Sequence, residues 1–320
     1  MARLLEVRQL SVCFDTPRGP LQAVDGVSLE VSRGETVGLV GESGCGKSVT
    51  ALSILALVPP PGRITAGQVL FEEEDLLTLP VRRLREIRGD RIGMVFQEPM
   101  SALNPTMRVG DQVAEALRIH RDVGRGEARA AAILLLRSVG IPDPEACAMV
   151  YPHQLSGGMR QRVLIAAALI CEPRLVIADE PTTALDVTLQ AQVLDLLTAA
   201  QRRSGTGLLL VTHDLGLVAE TCRRVVVLYA GQVVEQGPAE RCVSAPAHPY
   251  TAALLRSARS LGRSVPLAEI PGALPDPCAL LHGCRFAPRC EMARDDCRAA
   301  MPDLTARGDG AVRCIHPLEE

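Results

Sequence analysis

The stretch "ETVGLVGESGCGKSVTALSILALV", residues 35–58, leaves few folds open to this chain. A short apolar run with the character of a buried strand enters the pattern GxxxxGK[ST]. Apolar residues at helical spacing, "SVTALSILALV", leave it. Gly41, Gly44 and Gly46 let the backbone curl so that successive N–H groups face an anion, aided by the start of a helix. Lys47 supplies a compact charge for β- and γ-phosphates, and the Ser48 hydroxyl a ligand for Mg2+. Ser43, Cys45 and Val49 complete the stretch expected to meet the nucleotide. Lys47 is also the chain's only lysine; every other basic residue is arginine, so this position requires an ammonium where the rest of the chain uses guanidinium.

A phosphate loop of this kind calls for an acidic element on a neighbouring strand. "RLVIADEP", residues 174–181, ends an apolar run in Asp179 and Glu180. Asp179 is placed to hold Mg2+ and Glu180 to polarise an attacking water. Between the two motifs, "LSGGMRQRVLIAAALI" places Ser156, Gly157 and Gly158 at the start of a second helix whose amides can bind an anion. One phosphate tail cannot fill both helix starts unless two copies meet face to face.

Composition agrees with helices on a largely parallel sheet. The hydrophobic share is 47%, aromatics are 2% and Trp is absent, so Leu, Val, Ile and Ala must fill the core. A net charge of −3 gives no footprint for nucleic acid. The N-terminal "MARLLEVRQLSVCF" lacks an apolar signal core, and the longest apolar run, Val163 to Cys171, is too short to span a bilayer. A soluble, cytoplasmic protein that can dock on a membrane protein is expected. Of the 11 cysteines, Cys13, Cys45, Cys147, Cys171, Cys222 and Cys242 are scattered in apolar surroundings and read as buried thiols.

In this order the motifs resemble those of the ATP-binding subunits of ABC transporters. "GESGCGKS" corresponds to Walker A, "LVIADE" to Walker B and "LSGGM" to the signature, with Met159 where Gln is commoner. Gln97 in "MVFQEPMSALNP" matches the Q-loop, Asp186 in "TTALD" the D-loop and His213 in "LLLVTHD" the switch histidine; Phe14 is placed like the aromatic that stacks on adenine. The resemblance implies a P-loop NTPase of mixed sheet with an α-helical subdomain near residues 90–165, the whole ATPase domain covering 1–240. It implies that two ATPase subunits pack head to tail, so that Ser156, Gly157 and Gly158 meet the partner's γ-phosphate. Glu180 is then the general base, His213 orients water and phosphate, and Gln97 senses Mg2+.

From about residue 240 prolines recur, and "SAPAHPYTAALLRS" with "GCRFAPRCEMARDDC" resembles the C-terminal extension, here 241–320, of oligopeptide/dipeptide-type ABC ATPases. That subfamily imports peptides, nickel or other small solutes. It implies a second ATPase, a paralogue rather than an identical copy, two permease subunits, an extracytoplasmic solute-binding protein, and a peripheral place on the cytoplasmic face of a bacterial inner membrane. The features expected of a soluble ABC ATPase of DNA repair or translation are absent from the sequence: a coiled-coil insertion, tandem domains or a basic face. Iron–sulfur trafficking would account for the tail but not for the His248–Thr251 element. Cys284, Cys290, Cys297 and Cys314 match the extension's cysteines, which in relatives ligate an iron–sulfur cluster; the residues alone allow [4Fe–4S], tetrahedral Zn2+ or free thiols. Cys278 lies outside that pattern, and His282 and His316 read as surface residues.

Overall fold

The computed structural model describes residues 3–182, 187–260, 270–276, 278 and 282–319. Strands β1 (Arg3–Thr16), β2 (Gly19–Ser32) and β3 (Thr36–Val40) lead through the loop at 41–46 into helix α1 (Lys47–Ile54). There follow β4 (Gly62–Phe71), β5 (Glu74–Asp75), α2 (Val81–Ile87) and β6 (Ile92–Val95), then a helical stretch of α3 (Pro99–Ala102), α4 (Val109–His120), α5 (Arg125–Ser138), α6 (Pro144–Cys147) and α7 (Gly157–Leu169). Next come β7 (Leu175–Asp179), α8 (Val187–Ser204), β8 (Gly207–Thr212), α9 (Leu215–Thr221), β9 (Arg224–Tyr229), β10 (Gln232–Pro238), α10 (Ala239–Ser244) and α11 (Pro249–Ser260). The last described elements are α12 (Asp295–Ala299), β11 (Thr305–Arg307) and β12 (Gly310–Val312).

The contacts divide the chain into two units. The first holds residues 1–4, 32–35 and 79–209, and the second 5–31, 36–78 and 210–320. Within the first, β6 and β7 pair in parallel, Val95 opposite Ala178, so the residues that leave both strand ends emerge side by side. Helix α7 lies tight on β6: any side chain at Gly93 would run into the Ala168 carbonyl. Helices α4 and α5 bury Val109, Val113 and Ala114, and Ala128, Ala132 and Leu136, at the i, i+4 spacing of a core-facing stripe.

In the second unit β1 pairs antiparallel with β4, and β3 runs parallel to β9, Gly38 opposite Val225. Val225–Tyr229 and Thr36–Val40 are buried throughout, as a strand covered on both faces requires. A two-residue turn, Ala230-Gly231, with φ of 45° and 83°, joins β9 to β10 and matches the right-handed twist of a hairpin. β12 then pairs with β10, Glu235 opposite Val312, so the end of the chain extends this sheet.

The helix after the phosphate loop ends at Ile54, short of the apolar run that suggested it. Ala56 takes a left-handed conformation (φ 50°) and Leu57 N donates back to the Leu52 carbonyl at 2.9 Å, which closes the helix. The six scattered cysteines are all buried, as their apolar surroundings suggested. Among the described residues no helix is long and apolar enough to cross a membrane.

Candidate functional site

In the second unit the loop after β3 has the shape the glycines promised. Gly41 (φ 156°) has no room for a side chain, which would strike the Leu228 carbonyl and the Cys45 sulfur; Gly46 (φ 104°) faces the Ala23 carbonyl in the same way. Buried Lys47 donates from Nζ to the carbonyls of Gly41 (2.8 Å) and Glu42 (3.0 Å), so its charge is folded back over the loop. Ser48 follows it in the first turn of α1, whose start is pinned by Thr50, which donates from N and Oγ1 to the Gly46 carbonyl. Burial pushes the Cys45 thiol up to about 11, with Lys47 pulling weakly the other way. Ser43, Gly44 and Val49 sit in or beside the same loop. Phe14 is half-buried in β1 opposite Gly62, with its ring edge against that glycine. His213 leaves β8 exposed to solvent, and the next residue, Asp214, caps α9 by accepting from Gly216 N (2.8 Å) and Leu217 N (3.1 Å).

In the first unit β6 and β7 bring Gln97 and Glu180 together: Gln97 Nε2 donates to Glu180 Oε2 at 3.2 Å. Asp179 is buried at the end of β7, and Glu180 has a positive φ of 44°, a strained conformation for a non-glycine residue at a strand end. Ser156 caps α7, its hydroxyl accepting from Met159 N at 3.3 Å, and Ser156 and Gly157 are both exposed. Arg160 ties that helix to the preceding turn by donating to the Pro152 carbonyl (2.8 Å). Asp186 lies outside the described residues.

A further cluster stands in the second unit. Cys284, Cys290, Cys297 and Cys314 line one pocket with His248, Phe286, Met292 and His316. Burial raises the thiol pKa of Cys284 and Cys290 and that of Cys314 to about 11, and mutual repulsion among the thiolates adds to each. Among the described residues, no three of these sulfurs lie within 4.8 Å of one another; the compact trio is Asp296, Cys297 and His316. His316, still partly exposed, bonds Asp296 Oδ2 at 2.6 Å and lines the cysteine pocket, while His282 is exposed. His248 is buried with Nδ1 accepting from Tyr250 N (3.0 Å), which leaves the proton on Nε2. Burial holds the ring's pKa down to about 3, a hydrogen bond to the Arg313 backbone working the other way.

The sequence motifs did not single out Glu42, Glu235, Tyr229 or Arg289. Glu42 is gripped by a two-pronged salt bridge from Arg289 (2.7 and 2.9 Å), and its N–H donates to the Tyr250 hydroxyl (2.8 Å). Fully buried Glu235 accepts from Ala247 N (2.8 Å) and His248 N (2.9 Å), holding the turn that enters α11.

Residues 24–183 match the model of the family described as ABC transporter, and 234–297 that described as oligopeptide/dipeptide transporter, C-terminal region. The dipeptide transport ATP-binding protein DppD of Escherichia coli is 48% identical over 99% of this chain and 98% of its own length. The chain belongs to the ABC transporter ATP-binding family. A probable peptide ABC transporter ATP-binding protein of Sinorhizobium fredii, y4tR, is 52% identical over 94% of this chain and 91% of its own length. Among solved structures, the dimeric bacterial ABC transporter cassette MJ0796 superposes with a TM-score of 0.67 at 30% identity, over 73% of this chain and 98% of that one. The same cassette, in a post-hydrolysis state bound to ADP and Pi, gives a TM-score of 0.66 at 29% identity, over 73% of this chain and 98% of that one. The mixed-sheet P-loop fold of an ABC ATPase thus accounts for both units' strands and for the phosphate loop.

Proposed function

We propose that this chain is the ATP-hydrolysing subunit that powers import of di- or oligopeptides across a bacterial cytoplasmic membrane. The end-to-end likeness to a dipeptide transport ATP-binding protein carries the reading. ATP lies with its adenine on Phe14 and its phosphates in the loop of Gly41, Ser43, Gly44, Cys45, Gly46, Lys47, Ser48 and Val49. A phosphate oxygen replaces the Glu42 carbonyl as acceptor for Lys47, which keeps its bond to the Gly41 carbonyl.

The oxygen donors Ser48, Asp179 and Gln97 suit Mg2+, which neutralises charge on the β- and γ-phosphates when bound. Gln97 can serve two ends at once: with Nε2 on Glu180, Oε1 would be available as a ligand to the metal. Glu180 takes a proton from the attacking water as its oxygen bonds to the γ-phosphorus and the bond to the β–γ bridging oxygen breaks, releasing ADP and phosphate. His213 orients water and phosphate.

Ser156, Gly157 and Gly158 stand at a capped, exposed helix start and meet the γ-phosphate bound by a second, paralogous ATPase subunit packed head to tail. The helical segment near 90–165 faces two permease subunits; exposed Phe96 and Met100, beside Gln97, supply apolar surface for that contact. An extracytoplasmic binding protein delivers the solute, and the chain sits peripherally on the cytoplasmic face. The test is reconstitution of the assembly in vesicles. Peptide-loaded binding protein should raise the ATPase rate several-fold, and stimulation by nickel in place of peptide would overturn the solute assignment.

Cys284, Cys290, Cys297 and Cys314 form the ligand set of a [4Fe–4S] cluster. Four cysteines that line one largely apolar pocket suit such a group in their donor chemistry. When bound, the cluster supplies a four-point cross-link between segments of the tail. Anaerobic purification with a visible spectrum and counts of iron, zinc and sulfide tests this. A colourless, zinc-loaded protein would overturn the cluster and leave the ATPase standing.

A further inference from the structure

We infer that Arg289 and Tyr250 are positioning residues for ATP: reaching in from the C-terminal part of the chain, they set the peptide unit that aims Lys47 at the phosphates. The unit is the single planar peptide between Gly41 and Glu42. Its N–H donates to the Tyr250 hydroxyl at 2.8 Å, and its C=O accepts from Lys47 Nζ at 2.8 Å. Because the two ends are locked in one plane, the hydroxyl that holds the N–H also directs the carbonyl on which the lysine rests.

Arg289 fixes the rest of residue 42. Its fork takes both carboxylate oxygens, at 2.7 and 2.9 Å, and a bidentate pair constrains orientation as well as distance. The guanidinium side chain is only 5% exposed. Its Nε donates to the Pro271 carbonyl at 2.9 Å and its Nη2 to the Ile270 carbonyl at 3.0 Å; it also lies 5.8 Å from the centre of the Tyr229 ring. The hydrogen bonds to Glu42 hold it firmly protonated. Tyr250 is fully buried, packed against Tyr229 and Phe286 at ring separations of 4.6 and 5.4 Å. Neither anchor therefore has an easy alternative position, and the loop inherits their rigidity.

Burying an arginine this fully is costly unless its charge is paired, so the Glu42 clamp is a specific device rather than a chance surface contact. It prepays the ordering of the phosphate loop, which would otherwise be charged against ATP binding.

The test uses the purified full-length chain, with the Kd for MgATP from calorimetry, kcat and KM from phosphate release, and Tm without nucleotide. Arg289→Gln should weaken MgATP binding roughly tenfold, the scale of one lost charge-assisted hydrogen bond, with kcat at saturating ATP close to wild type. Arg289→Lys should recover only part of the loss, because an ammonium cannot form the fork. Adding Glu42→Gln to Arg289→Gln should cost nothing more. Tyr250→Phe, which keeps the ring and removes one oxygen, should raise Kd about threefold and decides the matter if the arginine variants do not fold. An unchanged Kd with a lowered Tm would reduce the clamp to a structural buttress and overturn the proposal. Tighter binding would overturn it too, since the 270–274 segment, whose Leu274 reaches Gly44, would then be a strap that obstructs the loop.

Discussion

Replacing Glu235 by Gln changes one oxygen to nitrogen in a fully buried side chain, and the structure sets what that should do. Both carboxylate oxygens accept main-chain N–H groups, from Ala247 and His248, at 2.8 and 2.9 Å. An amide can accept from one of them; its NH2 end then faces the other donor. A buried donor left without an acceptor costs about 1–3 kcal/mol, and the surviving bond loses its charge assistance, a further ~1 kcal/mol. Relief of the buried carboxylate's desolvation acts in the opposite direction. A net loss of about 2 kcal/mol is expected, equivalent to a fall in Tm of roughly 4 °C for a chain of this size. Glu235→Ala strands both N–H groups and leaves a void, so it should lose about twice as much. Urea unfolding of the full chain, followed by far-ultraviolet circular dichroism, reads the difference as a lower midpoint at unchanged slope. The turn held by Glu235 leads directly into His248, Pro249 and Tyr250, so MgATP affinity should weaken as well. A Gln variant as stable as wild type would refute the reasoning, because the two N–H groups would have found partners elsewhere.

Glu180→Gln should abolish steady-state hydrolysis while leaving MgATP binding intact, measured by phosphate release and equilibrium dialysis; turnover at the wild-type rate would remove Glu180 from its role as base. Gln97→Ala breaks the 3.2 Å contact to Glu180 and should lower kcat by about 10- to 100-fold with a smaller effect on Kd. Cys45, with its thiol raised to about 11, should react with iodoacetamide very slowly at pH 7.5, the rate climbing about tenfold per pH unit as the thiolate forms and levelling off only near pH 11. MgATP should slow that labelling further, as read by mass spectrometry of the modified peptide. Asp296, whose carboxyl His316 holds below the ordinary range, contributes stability that is present above its unfolded pKa of about 3.9 and lost as pH falls through the lower folded value. Asp296→Asn should therefore produce a small drop in Tm at pH 7 that vanishes in strong acid.

What could be read in advance was local. The phosphate loop, the apolar strands ending in Asp179–Glu180 and in Thr212–His213, and the Ser156 cap depend on neighbours within a few residues, and each stands where its spacing put it. The Gln97–Glu180 contact required one step more, since it follows from β6 and β7 pairing in parallel at matched ends. The helix after Lys47 was overread because apolar periodicity runs on into "LALV", where a left-handed turn at Ala56 has already closed it. The bond from His316 to Asp296 could not be read in advance, because the two lie 20 residues apart and no periodic pattern links them.

The grip on Glu42 lies furthest from anything a linear pattern can show. Arg289 stands 247 positions along the chain from the carboxylate it holds, and Tyr250 stands 208 from the N–H it accepts. In a chain with 33 arginines besides its single lysine, no compositional signal marks one of them as buried and forked. Yet the same short segments carry both tasks. Arg289 is adjacent to Cys290, Phe286 packs on Tyr250 two residues after Cys284, and His248, on the cysteine pocket, is two residues before Tyr250. The thiol pocket and the phosphate loop are thus braced by one set of backbone positions. Ordering either should stiffen the other, which gives the tail a physical connection to ATP that its cysteines alone do not reveal.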